Sequence, residues 1–297
     1  MQSSFPRERY YAKLLKVRII IILIIEICAF LIGGTFFVNH QKRPMVFLDD
    51  ANKRYLHFSL DDVHECLERL SDTRKESIFE DSTLAILKKW HDKYGIVVTL
   101  YCQGDFSINS KYARELINNS SWLKFGYHGN YYFKLGIGKF NKQIIDSVGS
   151  DVIIDKCLRL DYYRADYITC MILRQYGCIG FLSCDDWSYN SKEREYNYYL
   201  SDQQSLQLDK SSRLIDTINH IAFIKTDFRL EHIKQRWGNT KKCLKYYQKH
   251  PIQSRELIIF SHEWIFKEYV SEADSIFSWS VHNNYLFDFP MNNIQLN

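Results

Sequence analysis

The 297-residue chain is 46% hydrophobic, 25% charged and 15% aromatic, which is typical of a folded globular protein. Its formal net charge of +4 comes from the N-terminal region, because residues 1–43 hold seven basic and two acidic residues and the remainder is close to neutral. A neutral domain lacks the basic surface that nucleic-acid binding requires, and we predict no nucleic-acid partner.

The first predicted element is a membrane anchor. Residues 19–38 are apolar except for Glu26, and 20 residues are about the length needed to cross the ~30 Å hydrocarbon core as a helix. Five basic residues precede this run and two follow it, so the positive-inside rule leaves the N-terminus in the cytoplasm. We therefore predict a cytoplasmic tail (1–18), a transmembrane signal anchor (19–38) and a catalytic domain (44–297) outside the cytoplasmic membrane. A cleaved signal peptide is the alternative, but no small-x-small cleavage site follows the apolar run.

Seven of the eight cysteines lie outside the apolar run, and none forms a CxxC pair. An odd number without paired spacing predicts neither a disulfide framework nor a zinc-finger-like site. Seven unpaired thiols count against export unless the surroundings are reducing.

From residue 55 onward, short apolar runs alternate with helical patterns. The predicted strands are 55–60, 96–101, 123–128, 157–163, 178–183, 220–226 and 256–261, and the predicted helices are 78–94, 110–118, 166–176, 238–249 and one from 263. Gly95 and Gly177 are expected to end the helices before them. The tyrosine-rich polar stretch 188–216 interrupts the alternation and is interpreted as an insertion over the site. Repeated strand–helix units predict parallel strands with helices outside.

Polar side chains end several of these strands. In parallel α/β folds the chemistry lies beyond the carboxyl ends of the strands, and the residues placed there are Asp61, Asp62, His128, Asp161, Asp185, Asp186, Asp227 and His262. Carboxylates and imidazoles at one end of a sheet can supply metal ligands, a base and an acid, which together make a hydrolytic metal site.

Five ordered motifs over roughly residues 55–265 resemble a known family. They are Phe58-Ser-Leu-Asp-Asp62, Ala85-Ile-Leu-Lys-Lys-Trp-His-Asp-Lys-Tyr-Gly-Ile-Val-Val-Thr-Leu-Tyr101, Phe125-Gly-Tyr-His128, Asp185-Asp186-Trp187 and Ile258-Ile-Phe-Ser-His262. In this order they are similar to the motifs of the polysaccharide deacetylases with NodB homology. The resemblance implies a distorted (β/α) barrel.

The resemblance also implies roles for individual residues. Asp61 becomes the catalytic base, Asp62 and His128 become metal ligands, and His262 becomes the acid that protonates the leaving group. Asp186 and Trp187 are expected to bind the sugar.

The sequence departs from this family at Tyr132, which stands where the family has its second histidine ligand. A phenol is a poor ligand at neutral pH because its pKa is about 10. We predict Asp161 as the third ligand of a divalent metal ion. Zinc is the first expectation, with cobalt, nickel and manganese as alternatives. Either Arg159 or Arg229 could orient the base, and Arg229 is preferred because it follows a strand in Asp-x-Arg spacing.

Three functions remain open from sequence. The leading one is a metal-dependent hydrolase that removes N- or O-acetyl groups from a cell-surface glycan. The second is an inactive glycan-binding or polysaccharide-assembly protein on the same fold, which Tyr132 favours. The third is a metal-independent glycosidase that pairs Asp61 with Asp185 or Asp186.

Overall fold

The computed structural model describes residues 45–46, 54–71, 74–103, 106–129, 136–185, 197–250 and 256–292. They belong to one compact unit, residues 45–297. The predicted tail (1–18) and anchor (19–38) lie outside the described residues, as do Tyr132, Asp186 and Trp187. Within the described ranges, no helix combines the length and the apolar character that a membrane span needs.

The strands form two sheets. In chain order they are β1 (Met45–Val46), β2 (Arg54–Val63), β3 (Val98–Cys102), β4 (Leu123–Tyr127), β5 (Cys157–Leu158), β6 (Gly180–Asp185), β7 (Arg213–Asp216), β8 (Ile221–Thr226), β9 (Phe228–Arg229), β10 (Glu256–His262) and β11 (Tyr285–Phe287). One sheet has the order β1-β7-β8-β6-β5 and the other β4-β3-β2-β10-β9, with β11 beside β2. Among the strands of the described residues, the antiparallel pairs are the two that involve β7.

Helices connect most of the parallel strands. They are α1 (Glu65–Leu70), α2 (Ser82–Tyr94), α3 (Ala113–Asn118), α4 (Gly136–Val148), α5 (Tyr167–Gln175), α6 (Asp202–Lys210), α7 (Ile233–Trp237), α8 (Thr240–Lys249) and α9 (Val270–His282). The Asp81 side chain caps the first turn of α2 by accepting from two backbone N–H groups, and Gly95 ends this helix in the left-handed conformation at φ 75°. The predicted parallel-strand α/β fold is confirmed.

The two sheets approach each other at both edges. A parallel bridge joins Phe125 in β4 to Ile154 just before β5. On the other side, the Asp227 backbone N–H, just after β8, donates to the Ile258 carbonyl in β10 at 2.8 Å. Asp227 Oδ2 also accepts from the Ile258 N–H at 2.9 Å. Asp227, a predicted site candidate at a strand end, therefore joins the sheets and is fully buried.

Several segments of the structure differ from the predicted elements. The strand expected at 157–163 ends at Leu158, because Tyr162 and Tyr163 have φ of 54° and form a turn with Asp161. The described part of 188–216 contains α6 and β7, and β7 pairs with β8, so it is more than a covering loop. Helix α4 was not predicted, although its buried Ile137, Phe140, Ile144 and Val148 follow helical spacing.

The core fills the space between the sheets and beneath the helices. Side chains from both sheets, including Tyr101, Leu182, Ile224 and Ile258, pack into one buried cluster. All seven described cysteines are buried thiols outside any disulfide. Burial raises the pKa of six of these thiols, those of Cys66, Cys102, Cys157, Cys170, Cys178 and Cys243.

Candidate active site

A cavity of about 200 Å³ lies at the carboxyl ends of the parallel strands. It is lined by Asp61, Asp62, His128, Leu160, Asp161, Tyr162, Tyr163, Arg229 and His262. Eight residues were predicted to have a catalytic, metal-binding or sugar-binding role, and six of them line this cavity. The other two, Asp186 and Trp187, lie outside the described residues.

An irregularity in β2 directs both aspartates into this cavity. Neighbouring side chains of a regular strand point to opposite faces. Here the pairing of β2 with β3 shifts register between Leu60 and Val63, and Asp62 has φ of 55°. Such a bulge redirects side chains, so Asp61 (2% exposed) and the more open Asp62 line the same space.

Backbone strain is concentrated at the cavity. Six described non-glycine residues have positive φ, and three of them, Asp62, Tyr162 and Tyr163, line it. Left-handed backbone at a residue with a bulky side chain is unfavourable by about 1–2 kcal/mol. The fold therefore maintains two costly turns at this cavity, a pattern common at functional sites.

Asp61 is held by Arg159. The Arg159 Nε lies 3.2 Å from Asp61 Oδ2, and both side chains are almost fully buried. Arg159 is itself fixed, because it donates to Thr226 and Ser59 and lies 4.0 Å from the ring centre of Phe260. Asp61 Oδ1 is buried and has no hydrogen-bond partner among the described residues. One oxygen of Asp61 is therefore anchored, and the other is available to a water molecule or a substrate.

Asp62 and His128 meet in the cavity with their ligand atoms close together. His128 Nε2 lies 3.4 Å from Asp62 Oδ1. The other ring nitrogen, Nδ1, lies 2.5 Å from the Arg159 carbonyl. In a neutral ring this contact assigns the proton to Nδ1, and the lone pair of Nε2 is then available to a metal ion. When the ring is protonated at both nitrogens, Nε2 faces Asp62 with a proton, and this interaction is the main cause of a lowered pKa at Asp62. Burial opposes the charged ring, but the interaction with Asp62 outweighs it and raises the pKa of His128.

This pair fits a divalent cation. Two ligand atoms about 2.1 Å from one tetrahedral ion would lie about 3.4 Å apart. Asp161 lines the same cavity, and its carboxylate interacts electrostatically with His128 and Asp62. Burial, with the Asp62 charge, raises the pKa of Asp161. Among the residues that the structure describes, however, no three His, Cys, Asp or Glu side chains are already arranged as a metal-binding group.

His262 faces the cavity from the end of β10 with a carboxylate behind it. Its Nδ1 lies 3.2 Å from Glu231 Oε1, which also accepts from the His262 backbone N–H at 2.7 Å. Burial opposes the cationic ring, but the Glu231 hydrogen bond and the Asp61 charge outweigh it and raise the pKa of His262. The ring therefore tends to carry a proton, as a general acid must.

Arg229 lines the cavity but does not hold Asp61. Its guanidinium makes two hydrogen bonds to Asp185, at 3.0 Å and 2.6 Å. The position beside the base that we assigned to Arg229 is occupied by Arg159, the alternative considered above. The two arginines follow different strands, and only the packing decides which one reaches Asp61.

The same contacts make Asp185 unsuitable as a glycosidase acid. Its side chain is fully buried, and although burial opposes ionisation, hydrogen bonds from His232 and Arg229 lower its pKa to about 2. Such a carboxylate has no proton to give at neutral pH, so a pair of Asp61 with Asp185 does not fit. The alternative partner, Asp186, lies outside the described residues.

Two exposed aromatic side chains flank the cavity. Tyr162, on the turn after β5, is 64% exposed, and Trp264, just after β10, is 62% exposed. The Trp264 and His262 rings are 5.6 Å apart.

Sequence reasoning missed Glu231, Tyr162 and Trp264. The signal for Glu231 was its position just after the Asp-x-Arg segment, and Trp264 follows the His262 motif by two residues.

Comparisons with known proteins found similarity only at the level of structure. No family model matches the sequence, and no curated protein does either. The chain is similar to a polysaccharide deacetylase from Bacillus cereus (10% identity, 82% of this chain and 95% of that one, TM-score 0.40). It is also similar to the catalytic domain of a peptidoglycan N-acetylglucosamine deacetylase from Eubacterium rectale (13%, 84% and 96%, TM-score 0.39). A third similar structure is a CE4 family pseudoenzyme from Bacillus anthracis (8%, 84% and 70%, TM-score 0.34). The family whose motifs the sequence resembles is thus represented among similar structures, at low identity.

Proposed function

We propose that this chain is a hydrolase that removes acetyl groups from a glycan, with its active site in the cavity at the end of β2 and β10. The observation that carries the proposal is the convergence of Asp61, with one free carboxylate oxygen, and His262, with its supporting Glu231, in one cavity. Asp61 in β2 and His262 in β10 occupy paired positions of neighbouring strands and line the same small space. A candidate base and a candidate acid in one cavity are what amide or ester hydrolysis requires. The architecture we propose around them is a distorted (β/α) barrel.

The proposed metal ligands are Asp62, His128 and Asp161. A divalent cation held there, with zinc as the first candidate, would supply Lewis-acid polarisation of the acetyl carbonyl and lower the pKa of a water molecule. Support comes from the 3.4 Å separation of the Asp62 and His128 ligand atoms and from the orphaned oxygen of Asp61.

Asp61 is proposed to remove the proton from the attacking water. Arg159 fixes Asp61 through Oδ2, so the free Oδ1 is the oxygen that accepts this proton. Because Arg159 is packed on all sides, Asp61 keeps one orientation through the reaction.

His262 is proposed to donate a proton to the leaving nitrogen or oxygen as its bond to the acetyl carbon breaks. Glu231 stabilises the protonated ring and orients it through Nδ1, leaving Nε2 as the donor. Water supplies the second oxygen of the released acetate. Asp61 gains one proton from this water and His262 gives one to the leaving group, so the number of protons is conserved.

The substrate and the location follow from weaker features. Exposed Tyr162 and Trp264 offer aromatic faces beside the cavity, and the apolar faces of sugar rings pack on aromatic side chains. The apolar run at 19–38 supports a single-pass anchor that places the domain beside an envelope glycan.

The metal ligands are tested by metal content. The full chain would be exposed to zinc or cobalt, desalted and analysed by mass spectrometry, together with His128→Ala and Asp62→Asn. We expect about one metal per chain in the parent and a loss in both variants. His282→Ala, which removes an exposed histidine from α9, is the matched control and should retain the metal. Retention by His128→Ala, or no retention by the parent, would refute the metal site.

The chemistry is tested by acetate release from N-acetylated and O-acetylated oligosaccharides. Asp61→Asn and His262→Ala should each reduce kcat by about 10²–10⁴-fold, whereas His282→Ala should not. Full activity in either site variant would contradict the assigned roles.

A glycan-binding protein without catalysis is the second candidate. Tyr132 in place of the family's histidine favours it, and Tyr162 and Trp264 would still hold a sugar. Binding of acetylated oligosaccharides by a chain that retains no metal and releases no acetate would identify this case.

A further inference from the structure

Helices α7 and α8 form an unusually basic segment of the domain. Residues 233–250 contain six Lys and Arg and no Asp or Glu. The domain as a whole is nearly neutral, so this concentration of charge is local. It gives this segment a local excess of positive charge.

Four lysines of α8 share one face of the helix. Lys241, Lys245 and Lys249 recur every fourth residue and are exposed, and Lys242 lies beside them. The opposite face packs Cys243 and Tyr247 into the core. From Lys241 to Lys249 this row of lysines, the α8 stripe, is about 12 Å long at the helical rise of 1.5 Å per residue.

The lysines of the stripe have no acidic partner within the described part of the chain, where no ion pair involves the side chains of Lys241, Lys242, Lys245 or Lys249. Nearby acidic groups are used elsewhere: Asp227 pairs with Lys225, and Glu231 supports His262. Four uncompensated like charges repel one another, and an external anion would relieve this repulsion.

The stripe follows the candidate active site closely along the chain. Arg229 lines the cavity and Glu231 holds His262, α7 begins two residues after Glu231, and α8 follows it at Thr240. One short helix therefore connects the cavity residues to the stripe in sequence.

We propose that the α8 stripe binds an acidic polysaccharide, one that carries carboxylate or phosphate groups along its chain. This deepens the proposed function, on which its glycan character rests. A lipid surface fits less well, because none of the exposed large apolar side chains lies in 233–250 to enter a bilayer. Single-stranded nucleic acid fits less well too, because the tyrosines and the tryptophan of this segment are buried or half-buried, and no exposed stacking platform accompanies the lysines.

The test measures binding of the full chain to polygalacturonate, a carboxylate-bearing glycan without acetyl groups, by titration calorimetry at several salt concentrations. The triple variant Lys241→Gln, Lys245→Gln, Lys249→Gln should bind about tenfold more weakly, and its salt slope should fall by about two to three. The control variant Lys89→Gln, Lys156→Gln, Lys210→Gln removes the same charge from exposed positions elsewhere and should match the parent.

Two outcomes would overturn the proposal. One is equal weakening in both triple variants, which would show a general charge effect. The other is a stripe-dependent affinity that is higher for phosphatidylglycerol vesicles or for DNA than for polygalacturonate. Polygalacturonate is not a substrate, so a chain that releases no acetate would refute the proposed hydrolase without affecting the binding measurement. Conversely, a parent chain whose binding does not depend on the stripe would refute the stripe proposal and leave the hydrolase proposal intact.

Discussion

His57 makes the stability of the fold sensitive to mild acid. Its ring lies in β2 and is 1% exposed, and neither ring nitrogen has a hydrogen-bond partner of normal geometry among the described residues. Burial, with the nearby charge of Arg159, lowers the pKa of His57 from 6.5 to about 3, although the Asp288 backbone opposes this slightly. The unfolded ring binds a proton between these values and the folded ring does not, so the folded state loses stability as pH falls.

The size of the effect follows from these two pKa values. Between pH 7 and pH 5 the unfolded state gains about 2 kcal/mol from protonating His57, while the folded ring stays neutral. This result changes little if the folded pKa is one unit higher, because pH 5 remains above it. His128 and His262, whose pKa values are raised, act in the opposite direction, so a comparison with a variant is needed to isolate His57.

The assay is urea denaturation of the parent, His57→Leu and His57→Gln at pH 7 and pH 5. The parent should lose about 2 kcal/mol more than either variant over this interval. The two variants differ in the polarity of the substituted side chain, but neither has a ring that titrates. If both show the same change in unfolding free energy between pH 7 and pH 5, the extra loss in the parent is due to titration of His57 and not to altered packing. Equal losses in all three proteins would show that the folded ring accepts a proton by pH 5, and would refute the reasoning.

Three further predictions concern the candidate site. Arg159→Ala should destabilise the fold by about 3–5 kcal/mol in urea denaturation, because Asp61 stays buried without its cation; an added Asp61→Asn should recover part of the loss, and no recovery would contradict the pairing. Glu231→Gln should lower the pKa of His262 in an NMR titration, because the partner charge that raises it is removed; an unchanged pKa would exclude Glu231 as the cause. Asp62→Gly should be more stable than Asp62→Ala by about 1 kcal/mol in the same urea assay, since glycine tolerates φ of 55° without strain; equal stabilities would contradict a strained turn.

Local patterns in the sequence predicted much of the fold. Alternating apolar runs located most strands of the parallel sheets, and Gly95 marked the end of α2 where the left-handed conformation is observed. Because parallel strands present their carboxyl ends at one side, the sequence alone predicted that Asp61, His128 and His262 lie together.

The remaining features depend on contacts between distant segments. The partner of Asp61 could not be chosen from spacing, since Arg159 and Arg229 both follow strands and only one guanidinium reaches it. The strand at 157–163 looked continuous by composition, but Tyr162 and Tyr163 adopt positive φ, which tyrosine rarely does. A distant residue contacts this turn, because the Tyr198 backbone N–H donates to the Tyr163 carbonyl at 2.8 Å.

The buried thiols change how the cysteine count should be interpreted. A buried thiol with a raised pKa offers almost no thiolate to an oxidant or a disulfide. Six of the seven described thiols are of this kind and the seventh, Cys184, is also buried, so an odd number of cysteines is compatible with an oxidising compartment. All seven become accessible only as the fold opens. The rate at which a thiol reagent labels the native chain should therefore report the frequency of opening, which gives this protein an intrinsic probe of its own unfolding.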